Sequence, residues 1–376
     1  MKRISIGLLC ISLLAFNGCA LKTEEVVEES TVVEETTEVI DETEMVDALI
    51  SEPSEEIDES IEISTEENEV VAEAVEVIDY DLVKPNETGE VMVIMYHSLG
   101  EKNSAYVRTV ESFKADLERL YAMDFRAISL QDYVNNNIDV PAGMTPVVFT
   151  FDDGHVSNFR MIEKEGEMIV DPDCTVGILE AFYQMHQDFG LEATFFLNGG
   201  TPFKQKEYMD YKMNYIVEKG MELGNHSAGH EHLPKLNADQ IQKTLGGNIQ
   251  FIESVVDNYE IKGLALPFGE RPKDEYLNSL VTSGTYQGVA YKHNAILKVG
   301  WKPEVAAIHK KFNFEAINRV QSGDDDYQLS FYLDNYEKNP SKRFVSDGNP
   351  MTVTVPEERS ETVDEARLGD MELITY

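Results

Sequence analysis

Two carboxylates and two imidazoles stand out as groups that could do chemistry together. Asp152 and Asp153 directly follow the apolar run Val147-Val148-Phe149-Thr150-Phe151, and Gly154 comes next. Adjacent carboxylates at the end of a buried strand repel each other unless a positive group lies nearby. One can then ligate a metal while the other stays free to take a proton. By itself an Asp-Asp-Gly string reads as easily as a surface turn. Further along, Asn225-His226-Ser227-Ala228-Gly229-His230 sets two histidines four residues apart. One helical turn would aim both rings at a single point. Two neutral nitrogens and one carboxylate make an open facial site suited to Zn²⁺ or a similar ion.

The flanking pattern says what must hold these groups in place. Val91 to Tyr96 is a continuous apolar run, and Val147 to Phe151, Ala193 to Leu197 and Gly263 to Leu266 are largely apolar stretches of similar length. Such runs are expected of strands buried on both faces. Between them Phe113, Leu117 and Leu120 recur at helical spacing. Asn237 and Gln240 form a capping-box pattern ahead of Ile241, Leu245, Ile249 and Ile252. Alternating strands and helices predict an α/β fold with a parallel sheet, open or closed into a barrel. In barrels the active groups gather at the C-terminal ends of strands, where Asp152 and Asp153 fall. Beyond residue 320, Arg343 to Val345 and Met351 to Val355 flank Asp347-Gly348, which predicts short β elements around a turn.

With these strings in view, the sequence resembles the NodB-type polysaccharide deacetylases, carbohydrate esterase family 4. The likeness rests on Thr150-Phe151-Asp152-Asp153-Gly154, on His226-Ser227-Ala228-Gly229-His230, and on Ala265-Leu266-Pro267-Phe268-Gly269 in the place of a third motif. Ile94-Met95-Tyr96-His97-Ser98, Phe113-Lys114-Ala115-Asp116-Leu117 and Asp124-Phe125-Arg126-Ala127-Ile128-Ser129-Leu130 resemble the opening of the exopolysaccharide-modifying branch. The resemblance implies a distorted (β/α) barrel of seven or eight parallel strands. It implies Asp153, His226 and His230 as ligands of a divalent metal ion, Zn²⁺ first, with Asp152 as general base. In that branch the histidine near the domain start is the general acid, which implies His97; His309 is the weaker candidate. Pro267 and the backbone N–H near Phe268 would face the oxyanion. Most relatives begin the third motif with an arginine that orients the catalytic Asp. Ala265 stands there instead, and Arg271 is the nearest substitute.

Composition narrows the partners. The formal net charge is −39, which opposes nucleic acid binding. Between Thr23 and Asp79 there are 23 acidic residues and no Lys or Arg. This Glu-, Val- and Thr-rich stretch is expected to be a disordered tether. Ahead of it, Lys2-Arg3, the apolar stretch Ile4 to Phe16 and Asn17-Gly18-Cys19 resemble a bacterial lipoprotein signal, too short to span a bilayer as a helix. That implies lipid on Cys19 and an extracytoplasmic protein anchored to the cell membrane. With Cys10 removed and Cys19 acylated, only Cys174 remains, and it reads as a buried hydrophobe. The expected domains are a signal at 1–18, a tether at 19–88, a deacetylase domain at 89–320 and a small β-rich extension at 321–376. His155 and His232 read as neighbours of the site rather than members of it. Trp301, the only tryptophan, reads equally as a sugar-stacking ring or a core side chain. The expected reaction is hydrolysis of N-acetyl groups on an amino-sugar polysaccharide. The alternatives are O-deacetylation of xylan or another glycan, and a non-catalytic glycan-binding envelope lipoprotein.

Overall fold

The structure, a computed structural model, describes residues 78–376. The signal, Cys19 and most of the tether lie outside the described residues.

Nine strands form the main sheet: β1 (Glu90–Tyr96), β2 (Phe125–Ala127), β3 (Thr145–Phe151), β4 (Thr194–Leu197), β5 (Glu222–Asn225), β6 (Gly263–Ala265), β7 (Ala295–Leu297), β8 (Glu304–Val305) and β9 (Val320–Gln321). Their order is β7-β6-β5-β4-β3-β1-β8, with β2 paired to β3 and β9 paired to β1. Every pairing is parallel except β1 with β8. The sheet curls into a partial barrel with helices outside, as the alternating sequence pattern predicts.

The apolar runs explain why these strands sit in the middle. Side chains alternate across a strand, so a run with no polar gap must be covered twice. In β1, Met92, Ile94 and Tyr96 enter one core, while Val91 and Val93 enter another. In β3, Val147, Phe149 and Phe151 join the first core and Val148 the second. Helices α1 (Val110–Ala122), α2 (Leu130–Asn135), α3 (Thr175–Met185), α4 (Met209–Glu218), α5 (Ala238–Glu253) and α6 (Glu275–Thr282) follow successive strands. Helix α1 buries Phe113, Leu117 and Leu120. Helix α5 starts with both halves of the Asn237–Gln240 capping box and buries Ile241, Leu245, Ile249 and Ile252. Cys174 is fully buried in the first core, as a small hydrophobe would be.

The C-terminal segment is organised differently from its sequence pattern. Helix α7 (Leu329–Lys338) places Leu329, Leu333 and Tyr336 in the same core as β1 and β3. No hairpin forms around Asp347-Gly348. The Asp347 carboxylate accepts from the Asn349 N–H and from the Thr352 and Thr354 hydroxyls, which turns the chain locally. Strand β10 (Thr352–Val355) then pairs in parallel with β11 (Glu372–Thr375). Arg343 and Val345 bridge back to Glu90 and Asn86. Residues 78–88, expected as the end of a disordered tether, are folded against this segment. Glu87 is buried and accepts from the Asp347 and Thr354 N–H groups.

Candidate active site

Strand β3 ends at Phe151, and the next two residues turn out of the sheet. Asp152 keeps a backbone hydrogen bond to the Tyr96 carbonyl, while Asp153 adopts φ +74. This change of direction separates the two carboxylates. Asp152 points inward and is almost wholly buried; Asp153 remains partly open to the cleft.

The inward carboxylate meets a buried guanidinium. Arg319, immediately before β9, donates from its two terminal nitrogens to the two Asp152 oxygens, each at 2.7 Å. Its Nε donates to the Lys298 carbonyl, and it has no exposed surface. Burial pushes the Asp152 carboxyl upward, but Arg319 and the nearby imidazoles outweigh it and leave the group below its ordinary range. Sequence reasoning did not identify Arg319. Arg271, its nearest candidate, bonds to Asn278, Thr282 and the Glu315 carbonyl and does not reach Asp152. Ala265 is buried and serves through its carbonyl, which accepts from His226 Nδ1 at 2.8 Å.

The outward carboxylate faces the histidines. Asp153 Oδ1 lies 3.4 Å from His226 Nε2 and 3.7 Å from His230 Nε2. Oδ2 lies 3.2 Å from His155 Nε2. Burial raises the Asp153 carboxyl, yet His155 and His226 hold it well below the carboxylate range. Potential ligand atoms of Asp153, His226 and His230 all lie within 4.8 Å of one another. The two histidines do not share a helical turn. They sit in the loop after β5, where Ser227 and His230 take left-handed φ values of 62 and 54. Glu231 pins that loop by accepting from the Ser227 hydroxyl, the Gly229 N–H and the Thr244 hydroxyl.

The donor set fits a divalent cation. His226 Nε2 is buried and has no hydrogen-bond partner among the described residues. Its Nδ1 proton is committed to Ala265, which leaves the Nε2 lone pair aimed at the Asp153–His230 space. An orphaned buried nitrogen beside a carboxylate and a second imidazole is what a three-ligand metal site presents.

His97 follows β1 and faces the same cleft, its Nε2 3.9 Å from Asp152 Oδ2. Burial lowers its pKa against the pull of Asp152. Phe268 has a left-handed φ of 59, and its ring stands 4.6 Å from that of His230. Pro267 is buried. The cleft holds about 410 Å³ and is lined by Tyr106, His155, Leu266 and Val299 besides the groups above. His232 instead pairs with Glu270 at 2.9 Å. His309 lies outside the cleft: its Nδ1 accepts from the Lys311 N–H, and its backbone bridges to Val363.

Part of the chain is similar to known proteins. Residues 139–287 match the family model described as polysaccharide deacetylase. The curated Bacillus subtilis protein YxkH, provisionally assigned as a polysaccharide deacetylase, is 20% identical over 214 residues, 57% of this chain and 68% of its own. Among solved structures, the Streptococcus pyogenes deacetylase PplD shares 15% identity at TM-score 0.48, over 65% of this chain and 97% of that one. IcaB from Ammonifex degensii shares 15% identity at TM-score 0.47, over 66% and 98%.

Proposed function

We propose that this protein is a polysaccharide deacetylase that removes N-acetyl groups from an extracytoplasmic amino-sugar polysaccharide in a metal-dependent reaction. The observation that carries the reading is the Asp153–His226–His230 cluster with its orphaned His226 nitrogen, set beside a second, separately held carboxylate. Those three residues would hold the ion, Zn²⁺ first. When bound, such an ion polarises an acyl oxygen and makes water more acidic.

The chain's own groups supply the rest. Asp152, kept ionised and oriented by Arg319, stands where a carboxylate would take the proton of the attacking water. His97, in the same cleft with its Nε2 3.9 Å from Asp152, would return a proton to the departing amine, because an amide anion is too poor a leaving group near neutral pH. The backbone turn at Pro267 and Phe268 would direct an N–H toward the developing oxyanion. Arg319 also bears on the non-catalytic alternative. That alternative drew on the missing arginine at position 265, and an orienting guanidinium on Asp152 supports an active site instead.

The test is acetate release by the purified protein from chitooligosaccharides and from acetylated xylan, with and without a chelator. Chelator-sensitive release from chitooligosaccharides is expected. Release from xylan alone would make it an O-esterase, and release from neither would leave the non-catalytic reading. For location, Cys19 would carry lipid and hold the protein outside the cytoplasmic membrane. Cys19→Ala is then expected to shed protein into the medium or stop its processing; unchanged membrane association would refute lipidation.

A further inference from the structure

We propose that Trp301 and Tyr327 form an aromatic platform that binds the polysaccharide chain outside the cleft, so that the enzyme grips several sugars while acting on one. This rests on reading the cleft as the place where an amino-sugar polymer is deacetylated.

Three exposed apolar side chains form part of the cleft wall. Tyr106, Phe268 and Val299 all line it, and all are more than a third exposed. Trp301 lies two residues beyond Val299 and is 62% exposed; Tyr327 is 53% exposed. Their ring centroids are 5.9 Å apart at an interplanar angle of 88°, an edge-to-face contact that braces the two rings while both stay more than half exposed. Exposing a large indole is unfavourable unless something covers it in the working state. The weakly polar C–H face of a pyranose fits such a surface, as aromatic faces pack against apolar ones.

The platform is built rather than floppy. Tyr327 packs on Phe331 at 5.1 Å, and Phe331 on Tyr332 at 5.2 Å. The Tyr332 hydroxyl donates to the Trp301 carbonyl at 2.6 Å, fastening the loop to α7. On its other side the loop is clamped to the strand that carries Arg319. A side chain at Gly300 would meet the Arg319 backbone N and O at 2.4 Å. Since Arg319 grips Asp152, one rigid path joins the platform to the inward carboxylate. Rigid rings on fixed backbone lose little entropy on binding, which suits them to a repeating ligand.

Trp301 is the only tryptophan in the sequence, so its fluorescence reports on the platform alone. Metal-free protein is titrated with the N-acetylglucosamine hexamer and, at equal sugar concentration, with the monomer. The hexamer is expected to shift or quench the emission and the monomer to leave it unchanged. Trp301→Ala and Tyr327→Ala are each expected to lower kcat/KM on the hexamer by about two- to tenfold. Activity on the small ester 4-nitrophenyl acetate should stay unchanged. If the hexamer is deacetylated while Trp301 emission does not move and both variants act normally on it, the platform is overturned. If the emission responds but no acetate is ever released, the platform stands and the proposed reaction falls. If neither happens, both fall.

Discussion

Replacing Arg319 by Met tests the architecture of the site most directly. The side chain is fully buried and makes two 2.7 Å bonds to Asp152, itself about 1% exposed. Removing one partner of a buried pair leaves the other charge uncompensated, at a cost of ~3–5 kcal/mol in stability. The catalytic loss should match loss of a general base, about 10²–10⁴-fold in kcat. Metal content should hold at one equivalent, because Asp153, His226 and His230 do not touch Arg319. The decisive comparison is the double variant Asp152→Asn with Arg319→Met. If Arg319 works through Asp152, the pair should be no slower than Asp152→Asn alone. Denaturant unfolding, elemental analysis and acetate release measure the three quantities. Near-normal turnover in Arg319→Met, or losses that multiply in the double variant, would refute the reasoning.

Other perturbations separate the remaining groups. His97→Ala should keep its metal and lose about 10²–10⁴-fold in turnover, whereas His309→Ala should stay close to wild type; the reverse result would move the acid to the C-terminal segment. His155→Ala should weaken zinc binding about 10–100-fold in a chelator competition, since its ring steadies the free oxygen of Asp153; unchanged affinity would make His155 a bystander. Burial, helped by Asp347, raises the Glu87 pKa from 4.5 to about 8, so the folded protein holds a proton there that the unfolded chain releases. Stability from this group is full below pH 4.5 and is lost as pH rises through about 8, at up to ~1.4 kcal/mol per unit. Glu87→Gln should flatten that fall in urea unfolding between about pH 5 and 8, and an equally steep fall in the variant would exclude Glu87 as its source.

Much of the framework is legible in the sequence because its cause is local. A run such as Val91 to Met95 has no polar face, so it must lie inside a covered sheet wherever the rest of the chain goes. The Asn237–Gln240 box starts one helix at a fixed point by satisfying its first free N–H groups. Other features depend on distant partners. Helix α7 follows the acidic turn Asp324-Asp325-Asp326, and its burial is decided by a core to which β1 contributes from more than two hundred positions earlier. The parallel pairing of β10 with β11 likewise needs a crossover that no adjacent turn signals. Spacing can also succeed for the wrong reason. His226 and His230 converge as a four-residue interval suggests, but through two left-handed residues and a Glu231 clasp rather than a helical turn.

Arg319 carries the sharpest lesson about motifs. Its partner Asp152 is 167 residues away in sequence, and an arginine at a short strand has no spacing that marks it as functional. The family pattern asks for a guanidinium at position 265, on β6. The requirement beneath that pattern is different: a positive, planar group must reach a buried carboxylate at the end of β3. Strand β9 pairs with β1, and β1 with β3, so its first residues lie on the other side of the same carboxylate from β6. A charge delivered from there fulfils the electrostatic need as well as one delivered from β6, because it is the short bidentate contact that matters. Position 265 is thereby free to be small, and its carbonyl can fix the His226 tautomer. An alanine in a motif is therefore a sign of lost activity only after the space around the carboxylate has been searched for a guanidinium arriving by another route.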